Sequence, residues 1–83
     1  MSASNTMHNS ASEYDESLLR FLLRWAPFDG GEEEIYLTFG ITPSTFYTRV
    51  GRLLETRAEL TANHNVPALM AYCSRKARET MEY

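Results

Sequence analysis

The chain has 83 residues, enough for one small domain, and its 43% hydrophobic and 12% aromatic content excludes a disordered polypeptide. No apolar run approaches the ~20 residues of a membrane span, no basic-then-apolar leader opens the sequence, and the lone Cys73 excludes an internal disulfide. The net charge of −3 argues against a uniformly basic nucleic-acid binder, but residues 1–42 carry seven acids against two bases (−5) and residues 43–83 six bases against four acids (+2). A reducing, cytoplasmic setting is expected from the cysteine usage.

Met1 to Ala11 is rich in Ser, Asn and Ala without periodicity, and reads as a disordered tail ahead of a folded domain over 12–83. Ser12 is placed to cap a first helix, with Glu13, Asp15 and Glu16 in its opening turn. Tyr14, Leu18, Phe21, Leu22 and Trp25 form one stripe at helical spacing. Leu19 and Leu23 lie off that stripe, so they are either core in a helix buried on two sides or the seam of a two-fold dimer. Pro27 restricts the residue before it, which ends the helix near Ala26. Phe28-Asp29-Gly30-Gly31 is then a short connection.

Glu32 to Phe39 predicts a short helix with Ile35, Tyr36 and Phe39 apolar, and its three leading glutamates suit a first turn. Gly40 falls where the chain must turn sharply, with φ > 0 expected. Thr42 is a hydroxyl N-cap and Pro43 occupies the first helical position, where a missing N–H costs nothing. Phe46, Val50 and Leu53 or Leu54 recur at i, i+4 and i+7/8, which assigns a buried face. Ser44, Thr45, Tyr47, Thr48, Arg49 and Arg52 are left for the remaining surface. The helix packing expected from Ile35, Phe39, Ile41, Phe46 and Val50 requires Tyr36 either to rotate to the edge or to spread the two helices apart. Helix, Gly turn, apolar residue, helix is the pattern of a helix-turn-helix over 32–55.

Beyond Arg52 the chain continues helically or breaks briefly near Thr56, with a short extra turn at Ala58 to Leu60. Asn65 caps a last helix with Pro67 in its first turn. Leu69, Met70, Cys73, Ala77 and Met81 mark its buried side and Arg75, Lys76 and Arg78 its wet side. No strand pattern, internal repeat or phosphate-binding glycine loop is present. His8 and His64 lack the paired ligands of a metal site, no cofactor is implied, and no nucleophile has a base at useful spacing, so an enzyme is not expected.

Gly40-Ile41-Thr42 through Arg52 resembles the second half of the helix-turn-helix of bacterial sigma-factor region 4 and its relatives. Those carry Gly, an aliphatic, Ser/Thr, a variable residue, Ser-Thr, an apolar residue, then Arg-apolar-x-Arg. More loosely, Leu18 to Arg78 resembles short helix-turn-helix proteins of actinobacteria and their phages. The resemblance implies sequence-specific binding of double-stranded DNA and transcriptional regulation. Glu32, Glu33 and Glu34 depart from the pattern, because that region lies close to the DNA backbone in many relatives.

These readings converge on an all-α domain of about four or five helices around a central helix-turn-helix. Ser44, Thr45, Tyr47 and Thr48 are expected to face the major groove, with Arg49 and Arg52 on phosphates and Arg75, Lys76 and Arg78 on a second backbone strand. A homodimer through Leu19 and Leu23 would read half-sites ~34–36 Å apart. The alternative is a protein-interaction module whose acidic face docks a basic partner such as RNA polymerase or another regulator.

Overall fold

The structure, a computed structural model, describes the backbone of residues 2–61 and 63–81, and the side chains of that set from Glu13 on, Ala58 excepted. Four α-helices account for most of it: α1 Ser2–Trp25, α2 Glu32–Phe39, α3 Pro43–Thr56 and α4 Val66–Thr80. Single 3-10 turns at Ala26–Phe28 and Ala58–Leu60 follow α1 and α3. No strand occurs among the described residues. None of the described helices is long and apolar enough to cross a membrane.

Helix α1 begins at Ser2 rather than at the expected Ser12 cap, so the stretch anticipated as a tail has a helical backbone. Neither Gly nor Pro stands between Ser2 and Trp25, and nothing in the covalent chain stops propagation there. Glu13, Asp15 and Glu16 consequently lie inside the helix and not in a first turn. The Ser12 side chain is outside the described residues. The far end matches expectation: α1 stops at Trp25, and Pro27 sits in the 3-10 turn that follows.

The link from α1 to α2 depends on two left-handed residues. Asp29 (φ 52°) closes the 3-10 turn by donating its N–H to the Ala26 carbonyl at 3.0 Å. Gly31 (φ 95°) immediately precedes α2, and a Cβ there would lie 2.7 Å from Trp25 Cγ. The indole therefore sits against the glycine backbone. Gly31→Ala should combine left-handed strain with this overlap and lower stability by about 2 kcal/mol, read from urea midpoints. Gly40 (φ 70°) ends α2 and donates to the Tyr36 carbonyl at 2.8 Å, as its position in the sequence predicts.

Helix α3 is the centre of the domain and packs against α1, α2 and, most extensively, α4. Ile35, Phe46 and Val50 are fully buried, with Phe39 and Ile41 packed against them. Phe21, Phe39 and Phe46 form a ring cluster with centroid separations of 5.3, 5.4 and 5.8 Å. Tyr36 resolves its own alternative by turning outward, 63% exposed. Cys73 is buried on α4, which pushes its thiol up to about 11 and makes it a small core residue rather than a reactive one. Met81 departs from expectation: α4 ends at Thr80, and Met81 projects past the packed surface, 67% exposed.

Candidate nucleic-acid interface

The start of α3 is fixed by its cap. Thr42 is extended (φ −74°, ψ 156°), and its Oγ1 accepts from the Thr45 N–H at 3.3 Å. The same hydroxyl donates to Thr45 Oγ1 at 3.0 Å, so the Thr45 proton remains available to an outside acceptor. Thr45, Thr48, Arg49 and Arg52 follow at helical spacing and are all exposed, with Ser44 half-buried beside them. Together these five line a shallow depression of about 250 Å³.

Tyr47 does not belong to that face. It is 2% exposed and sits with the largest buried side chains, its ring 6.0 Å from Tyr72 at an edge-to-face angle of 80°. Burial also pushes its phenol far above the ordinary range, so it stays neutral. Tyr47, Val50 and Leu54 recur at i, i+3 and i+7, a second apolar line on α3 that α4 covers. The aromatic expected to read bases is instead part of the core.

Lys76 is corrected in the same way. It is 6% exposed, and its Nζ lies 2.6 Å from Glu32 Oε2 and 3.3 Å from Asp29 Oδ1. Its ammonium clamps α4 to the α1–α2 connection and is not available to a DNA strand. Burial alone would lower the Lys76 pKa, but hydrogen bonds to Glu32 and Asp29 outweigh it and hold the group above its ordinary 10.5. Asp29, hydrogen-bonded to Lys76, is held below its ordinary 3.8.

Both shifts translate into pH dependence. A carboxylate with a depressed folded-state pKa stabilises above its unfolded value and loses that contribution as pH falls through the lower one. An ammonium with a raised pKa stabilises below its unfolded value and loses that contribution as pH climbs through the higher one. Lys76→Met should cost about 2 kcal/mol near neutrality. It should also flatten the fall in stability below the ordinary Asp29 value of 3.8, measured by urea titration at several acidic pH values.

The remaining cations divide cleanly. Arg57 binds Asp15 at 3.0 Å and Glu59 at 2.6 Å, tying α1 to the end of α3. Arg75 lies 3.8 Å from Asp29 and 3.7 Å from Glu79, with its guanidinium 5.3 Å from the Tyr72 ring centre. Arg75 is thus half-engaged by the protein and makes a poor phosphate clamp; the pairing of Arg78 with Glu82, expected from their i, i+4 spacing, lies outside the described residues. Arg49, Arg52 and Arg78 make no ion pair among the described residues, Arg49 only resting 5.9 Å over the Tyr14 ring. Arg49 and Arg52 border the threonine depression, and Arg52 and Arg78 share a second concavity.

That second concavity is a groove of about 370 Å³ between α3 and α4. Gly51, Met70, Cys73 and Ala77 contribute to its apolar surface, and Glu55 is the one acid in its lining among the described residues. Of the two readings for Leu19 and Leu23, core or dimer seam, the packing agrees with core for Leu19, which is 5% exposed, and Leu23 is partly buried against that core. No group of three or more metal-ligating side chains converges among the described residues.

Comparison with protein-family models, curated proteins and solved structures found no match to this chain.

The burial of Lys76 was available in the sequence. Leu69, Cys73, Lys76 and Thr80 repeat at 4, 3 and 4 residues, so the lysine continues an inward-facing line. Two acids near α2, Asp29 and Glu32, supply the partners that a buried ammonium requires.

Proposed function

We propose that this chain binds double-stranded DNA through the exposed face of α3 and acts as a transcriptional regulator of a bacterium or phage. The observation that carries this reading is the sorting of the C-terminal cations. Arg57, Arg75 and Lys76 are engaged with the protein's own carboxylates, while Arg49, Arg52 and Arg78 pair with none among the described residues. The first two of these lie beside exposed hydroxyls at the start of α3. Arginines bind phosphate oxygens in a bidentate manner, and short hydroxyls reach both phosphates and base edges.

The proposed contact set is Ser44, Thr45, Thr48, Arg49 and Arg52, with Arg78 as a flanking phosphate contact. Tyr47 and Lys76 drop out because they are buried. The hydroxyls discriminate bases weakly, so specificity depends on how Arg49 and Arg52 orient α3 in the groove. Selection from a randomised duplex pool across salt concentrations tests the reading. An enriched motif with affinity falling steeply in salt supports it, and a flat, motif-free response refutes it.

A further inference from the structure

The outer face of α2 is chemically unlike the rest of the surface. Leu37 is 77% exposed and Tyr36 63% exposed. Glu33 and Glu34, four and three residues before Leu37, are exposed on the same side and make no ion pair among the described residues. An apolar knob flanked by two unpaired acids is thereby presented to the outside. The groove between α3 and α4 has the opposite character: Gly51, Met70 and Ala77 lie in its apolar lining, and Arg52 and Arg78 supply its cations against one acid among the described residues, Glu55. Gly51 leaves this lining open, since a Cβ there would meet only Cys73 Cβ, at 3.9 Å.

We infer that the groove between α3 and α4 receives helix α2 of a second copy of this chain. Leu37 enters the apolar lining, and Glu33 and Glu34 meet Arg52 and Arg78. Two different surfaces pair, so the contact is head-to-tail, and each complex keeps one free groove and one free α2. Assembly then continues with concentration instead of stopping at two. One eight-residue helix in one groove is a small interface, which sets the association in the roughly 0.1–1 mM range. Arg52 serves this contact and the proposed duplex face alike, so DNA and self-association compete for it.

Sedimentation without DNA tests the assignment. The wild-type average mass should rise with concentration and show no plateau at a dimer. Leu37→Arg and the double variant Arg52→Glu/Arg78→Glu should each weaken association about 30-fold, as expected for loss of a central anchor. All three side chains are exposed, so unchanged melting curves will verify that both variants fold. The decisive measurement mixes the two variants. Leu37→Arg retains a working groove and the double variant retains a working α2, so the mixture should form a 1:1 complex that grows no further.

Failure of the mixture to associate would overturn the head-to-tail pairing, as would a monomeric wild type at ~1 mM or association that survives either variant. Duplex binding is read separately on Leu37→Arg, which leaves Arg49 and Arg52 intact. Loss of self-association with retained DNA binding thus stays distinct from failure of the DNA reading.

Discussion

Tyr47→Ala should destabilise the protein by about 3–5 kcal/mol, a large part of the roughly 5–15 kcal/mol that holds a domain together. The side chain is 2% exposed and lies where α3 meets α4, the most extensive packing in the molecule. Its removal deletes edge-to-face contacts with Phe46 and Tyr72 at centroid distances of 5.2 and 6.0 Å and opens a cavity between the two helices. Tyr47→Phe keeps the ring and should cost far less. Thermal melts of the two variants distinguish a core residue, for which alanine is severe and phenylalanine mild, from a surface residue that tolerates both. Duplex affinity measured on folded Tyr47→Phe should equal that of the wild type, because the hydroxyl never reaches the exposed face.

Arg49→Ala/Arg52→Ala should reduce duplex affinity about 60-fold at ~0.1 M salt while leaving the melting temperature nearly unchanged. The estimate follows from counterion release: each lost phosphate contact removes a factor of salt concentration raised to about −0.9, which is roughly eightfold at this ionic strength. Neither arginine makes an ion pair among the described residues, so the protein loses little by their removal beyond the Arg49 contact with Tyr14. The logarithmic salt slope should become shallower by about 1.8, equally on selected and random duplexes. An unchanged slope would show that the polar face of α3 does not meet DNA. Arg57→Ala, by contrast, should lower stability and leave the slope alone, since its guanidinium already holds Asp15 and Glu59.

Much of the local structure was written in the chain. Thr42 and Pro43 start α3, Gly40 ends α2 in a left-handed conformation, Pro27 limits α1, and Asn65 caps α4 by accepting from the Ala68 N–H. Each of these is a short-range effect: a side chain or a φ restriction acts on backbone within a few residues, so neighbouring letters suffice to find it. The apolar faces built from Ile35, Phe39, Phe46 and Val50 were legible for the same reason, as helical spacing alone assigns them to one side.

Whether a helix is covered on one side or on two depends on what packs against it, and spacing is silent about that. Helix α3 lies between α1 and α2 on one flank and α4 on the other. The second flank draws Tyr47 inward and confines the available polar face to Thr45, Thr48, Arg49 and Arg52. The same packing buries Leu19 and brings Lys76 within ion-pair distance of Asp29 and Glu32, across a separation in sequence that no local pattern spans. The sequence by itself determined where α2, α3 and α4 begin, where α1 and α2 end, and the inward line of Ile35, Phe46 and Val50. Only the tertiary arrangement decided which cations remain for a partner, because a charge is satisfied by whatever carboxylate the fold carries to it, however distant along the chain.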